Sequence, residues 1–72
     1  MIRYMVVVER GDSSWGAYVP DLPSCVAVAS TRNEVVGRIR EAISFHIAGL
    51  KQAGLPVPKP LSEGEFVEIE AA

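Results

Sequence analysis

Of the side chains that most often carry chemistry in small proteins, this 72-residue sequence holds one cysteine, Cys25, and one histidine, His46. A lone cysteine excludes an internal disulfide and a zinc cluster of the usual Cys/His spacing. It fits a reducing compartment, so a cytoplasmic location is expected. No apolar run approaches bilayer-spanning length, and Met1 leads directly into alternating sequence instead of a charged stretch and an apolar leader. Neither membrane insertion nor secretion is expected. No glycine-rich run joins a strand to a helix, which removes the ordinary phosphate cradle. Basic charge is also scarce: seven Lys and Arg against nine Asp and Glu leave a net charge of −2. The one local group of arginines, Arg32, Arg38 and Arg40, reads as a solvated helix face, so direct nucleic-acid binding is not expected.

Hydrophobic residues make up 49% of the chain and charged ones 22%, without a low-complexity tract, which places it in the folded globular class. A single domain over residues 1–72 is expected. A chain this short buries one modest core, so association with a partner or with itself should matter to its stability.

Ile2 to Glu9 alternates at period two and reads as a first strand; Arg10 to Ser14 is a turn, and Trp15 to Val19 returns as a second strand. Between the second and third strands stands Val19-Pro20-Asp21-Leu22-Pro23-Ser24-Cys25, where an ordinary hairpin would carry Asn-Gly or Asp-Gly. Cys25 to Ala29 is short, apolar and β-branched at alternate positions, a third strand. Thr31 followed by Glu34 has the spacing of a capping box and starts a helix. On that helix Val35, Ile39, Ala42, Ile43, His46, Leu50 and Ala53 share a stripe, and Gly54 with Pro56 ends it. Pro56, Pro58 and Pro60 favour an extended path, and Glu65 to Glu70 alternates as a final strand.

The expected fold is therefore α+β, with element order β-β-β-α-β. Right-handed crossover into the last strand makes it parallel to the first, giving a four-stranded mixed sheet of order 3-2-1-4 with the helix on one face. The other face is bare and would carry Arg3, Met5, Val7, Gly16, Tyr18, Phe66 and part of the third strand. So apolar a face implies a partner surface.

Little in the sequence supports catalysis. Cys25 and His46 could form a thiol–imidazole dyad, but Cys25 opens an apolar strand and His46 sits in the helix stripe, where inert core roles explain both. Glu9, Asp12, Asp21 and Glu34 lack metal-ligand spacing and read as turn and cap residues. No catalytic residue, cofactor or metal is assigned. Trp15, Tyr18 and Phe66 could stack bases on an open sheet, but with so few basic residues beside them, contact with protein is the better use.

Taken together, Val-Val-Val-Glu, Gly-Ala-Tyr-Val-Pro-Asp-Leu-Pro-Ser-Cys, the Ser-Thr helix start, Arg-Glu-Ala-Ile-Ser-Phe-His-Ile and Gly-Leu-Pro-Val-Pro-Lys-Pro resemble the N-terminal domain of HicB-type antitoxins. The resemblance spans nearly the whole chain. It implies a partial RNase H-like fold without nuclease chemistry, and a protein that binds a HicA-type mRNA-cleaving toxin and blocks its active surface. The expected partner-contact residues are Tyr18, Pro20, Asp21, Leu22 and Pro23. Ser24 and Ala29 stand where the family commonly has glycine, and the helix-turn-helix or ribbon-helix-helix domain that full antitoxins usually append is not expected here. A homo-oligomer is expected, and an orphan homo-oligomeric interaction domain without a toxin is the alternative role.

Overall fold

The computed structural model describes residues 1–71. Its elements are β1 (Val7–Arg10), β2 (Trp15–Tyr18), β3 (Val26–Ala29) and α1 (Arg32–Gln52). The strands form one antiparallel sheet in the order β1-β2-β3. Val8, Ala17 and Ala27 align across it, as do Val7, Tyr18 and Val26. Successive rows face opposite ways. The first row packs beneath α1, where Ala17, Val19, Leu22, Cys25 and Ala29 meet Val35 and Ile39.

The hairpin closes at Gly11, whose N–H donates to the Ser14 carbonyl at 2.8 Å. Across the two strands Arg10 lies opposite Trp15, with its guanidinium 5.8 Å from the indole centroid. Pairing ends early at the other end of β1, so the expected strand from Ile2 is reduced to four residues. The register would place Val6 opposite Val19 and Met5 opposite Pro20. Val19 donates its N–H to the Cys25 carbonyl instead, and Pro20 has none to donate.

Thr31 caps α1 by accepting from the Glu34 N–H at 3.2 Å. Only this half of the capping box forms, because the Thr31 hydroxyl donates to the Glu34 carboxylate at 3.0 Å. At the far end Leu55 N–H donates to the Leu50 carbonyl and Gly54 N–H to Lys51, with Gly54 at φ 72°. This is the Schellman arrangement, which needs a left-handed residue at that point. Twenty-one helical residues span about 31 Å, whereas a four-residue strand covers about 13 Å. The C-terminal half of α1 therefore overhangs the sheet: of the expected stripe Val35 and Ile39 are buried, Ala42 and Ile43 are partly packed on the core, and Ala53 is exposed.

The largest departure from expectation is the fourth strand. The sheet has three strands and no 3-2-1-4 order, and residues 55–71 contain neither helix nor strand. Phe66 is fully exposed and Ile69 is 77% exposed. Alternation over Glu65 to Glu70 reports that the segment suits a strand, but it carries no information about which edge will accept it. The chain is held elsewhere before it reaches β1. Tyr4 donates its hydroxyl to the Pro58 carbonyl, Ser62 is bonded to Asp21, and Gly64 packs so closely on Met5 that a Cβ there would lie 3.0 Å from Sδ. The segment thus crosses the end of the sheet and leaves it.

Candidate functional site

The Val19–Cys25 corner is built by three interlocking backbone hydrogen bonds. Val19 donates to Cys25 at 3.2 Å, Leu22 to Val19 at 3.1 Å and Cys25 to Leu22 at 3.1 Å. All three side chains point into the core, and Leu22 is completely buried. Closing so tight a loop forces Ser24 to φ 69°, a left-handed conformation that costs a side-chain-bearing residue about 1 kcal/mol. Ser24→Gly is accordingly expected to raise stability by about 1 kcal/mol, seen as a melting temperature about 4–8 °C higher in a calorimetric scan.

Of the expected contact residues, the corner separates those that face solvent from those that do not. Tyr18, Pro20 and Pro23 are exposed. Leu22 offers no surface at all, a correction to the expectation that it meets a partner; its backbone bonds turn it inward. Asp21 is half-buried and occupied within the chain, since its carboxylate accepts from the Ser62 N–H at 2.9 Å and the Ser62 hydroxyl at 2.7 Å. The backbone N–H of Ser62, followed by its hydroxyl, holds the Asp21 carboxyl below the usual aspartate range. Sequence reading missed Ser62 because it lies 41 residues away, and only the fold joins the two.

A depressed pKa means that this latch is fully present above the ordinary aspartate value of about 3.9 and is lost as pH falls through the lower native value. Wild-type protein should therefore keep the Ser62 amide protected from hydrogen exchange at neutral pH and release it only in acid. Asp21→Asn should release it at pH 7 as well. Equal Ser62 protection in the two proteins at pH 7 would refute the latch.

Beside the corner lies the sheet face turned away from α1. Val7, Tyr18 and Val26 form one row across it, and Glu9, Gly16 and Val28 the next. Val26 and Val28 are 63% and 60% exposed. Sequence reading placed these valines only loosely, because an all-apolar third strand does not say which of its residues face inward; the pairing with β2 decides it.

Potential chemistry is correspondingly thin. Cys25 is buried, and desolvation raises its thiol pKa, which disfavours the nucleophilic thiolate. Among the described residues no group of three or more His, Cys, Asp and Glu could hold a metal ion, and no helix is long and apolar enough to cross a membrane. Arg38 is engaged, donating to the Val28 carbonyl at 2.7 Å and lying 4.0 Å from Glu34. It thus ties α1 to the β3 edge.

The corner, the sheet face and the helix that backs them fall within a recognised sequence family. The HicB_like antitoxin of bacterial toxin-antitoxin system family matches residues 4–70. The chain belongs to that family. Among curated proteins it is 28% identical over 72 residues to Antitoxin HicB 2 of Photorhabdus laumondii, covering 99% of this chain and 52% of that one. It is 34% identical over 56 residues to an uncharacterized 14.9 kDa protein of Haemophilus phage HP1, covering 78% of this chain and 42% of the phage protein. A UPF0150 protein of Archaeoglobus fulgidus is 29% identical over 70 residues, with 96% of this chain and 90% of the relative covered. The chain thus spans about half the length of the first two relatives and nearly all of the third. No solved structure matches it.

Proposed function

We propose that this HicB-like chain is a cytoplasmic binding module that neutralises a HicA-type mRNA-cleaving toxin by direct protein contact, without catalysis of its own. Family membership supports the toxin as partner, and the observation that favours binding through the sheet is the apolar row of Val7, Tyr18 and Val26 on the face that α1 leaves uncovered. Tyr18, Pro20 and Pro23 form the contact edge, with Val26 and Val28 beside them. Asp21 and Leu22 shape that edge from behind. Net negative charge steers a basic RNA-cleaving partner towards it, and contact with nucleic acid is not required.

Co-expression with a small basic HicA-type protein tests the proposal. The two should purify as a complex, and the complex should leave a substrate mRNA intact that the free toxin cleaves. If the toxin cleaves equally well with a molar excess of this chain present, the proposal fails. The exposed apolar residues also favour a second reading, a homo-oligomeric interaction domain with no toxin partner, and self-association in the absence of any toxin binding would select it.

A further inference from the structure

A groove of about 730 Å³ runs between the N-terminal segment and α1, with Val6, Val8, Ile39, Ile43 and Ile47 along it and Arg3 and Arg40 beside them. Among the described residues β1 pairs with β2 alone, so its outer edge is open along this groove. The same chain carries an unhoused segment of matching chemistry. Phe66, Val67 and Ile69 are exposed large apolar residues, and Glu65, Glu68 and Glu70 stand among them.

We propose that the Glu65–Glu70 arm of one copy lies in this groove of a second copy, and that the exchange is reciprocal. Length agrees: six extended residues cover about 20 Å, and the stretch of α1 lining the groove, from Val36 to Ile47, rises about 17 Å. Charge agrees as well, because the arm's carboxylates meet Arg3 and Arg40. The arm is carried away from its own core by the bonds at Pro58 and Ser62 and by the packing of Gly64 on Met5. The chain accordingly extends 51 Å in one direction and 27 Å in the next, with a radius of gyration of 14.2 Å against about 11 Å for a compact chain of this length. Arm and groove on one chain make a self-complementary pair, which closes as a two-fold dimer. A second copy is the occupant because the arm brings apolar residues to cover the groove's valines and isoleucines, and carboxylates opposite in sign to Arg3 and Arg40. The exchange does not depend on the toxin reading, since it uses the opposite side of the molecule from the Val26 face.

Sedimentation equilibrium at micromolar concentration tests it on the full chain. Wild type should be a dimer, and Phe66→Glu with Ile69→Glu should weaken dimerisation at least ~100-fold while far-UV circular dichroism is unchanged. Cysteine pairing distinguishes exchange from other geometries. An Ile43→Cys chain mixed with an Ile69→Cys chain should give a disulfide-linked heterodimer on mild oxidation. A wild-type monomer at all concentrations, a dimer that both arm substitutions leave intact, or a cross-link formed only within a single chain carrying both cysteines would each overturn the proposal.

Discussion

Leu22→Ala is expected to lower the unfolding free energy by about 3 kcal/mol, the middle of the range for truncating a fully buried leucine. Two consequences combine at this position. Leu22 is one of the two largest completely buried side chains in the core, so its loss leaves a cavity between the corner and α1. It also sits between two of the three backbone bonds that close the corner, so any collapse into the cavity pulls on the loop that forces Ser24 left-handed. A domain of this size has about 4–11 kcal/mol in total, and a loss of 3 kcal/mol should drop the melting temperature by about 12–24 °C. Leu61→Ala makes the same chemical change at a residue 78% exposed and should stay within about 0.5 kcal/mol of wild type. Urea titrations of both variants check the contrast. Similar midpoints would mean that the corner is not part of the core.

Val26→Lys is expected to weaken toxin binding by at least ~100-fold while leaving the fold intact. Val26 lies on an edge strand with its side chain in solvent, where lysine is tolerated and the folding penalty should not exceed about 0.5 kcal/mol. Its pairing partner Tyr18 is the aromatic at the centre of the proposed contact, the residue type that most often carries interface energy. A lysine there both removes apolar area and sets positive charge against a basic partner. Phe45→Ala serves as the control, since Phe45 is a large apolar residue 83% exposed on α1 but belongs to the other layer of the molecule. Measured by inhibition of mRNA cleavage, Val26→Lys should fail to inhibit and Phe45→Ala should match wild type. If both inhibit normally, the sheet face is not the toxin-binding surface.

The two variants divide the corner and the sheet into a part that holds the molecule together and a part that meets others. Asp21 marks the boundary. Its place in a proline-flanked loop marks it as a turn residue, and from that turn its carboxylate also receives the returning C-terminal segment at Ser62. The proline-alternating stretch before Ser62 acts as the extended strap that the sequence suggests, and Tyr4 fastens it near its middle.

Local pattern alone determined the hairpin, the helix start at Thr31, the Schellman end at Gly54 and the inward stripe of Val35 and Ile39, because each depends on residues within a few positions of one another. The family was also legible, since the Val-Pro-Asp-Leu-Pro run and its neighbours are contiguous in sequence. What the tertiary structure alone decided were the facts that join distant residues: that Leu22 points inward, that Asp21 holds Ser62, that β3 turns Val26 and Val28 to solvent, and that Glu65 to Glu70 forms no fourth strand. Periodicity fixes which residues share a face, but an extended segment can satisfy its backbone and bury its side chains against any compatible edge. That choice belongs to the bonds at Pro58 and Ser62 and the packing at Gly64, made by residues far away in the chain.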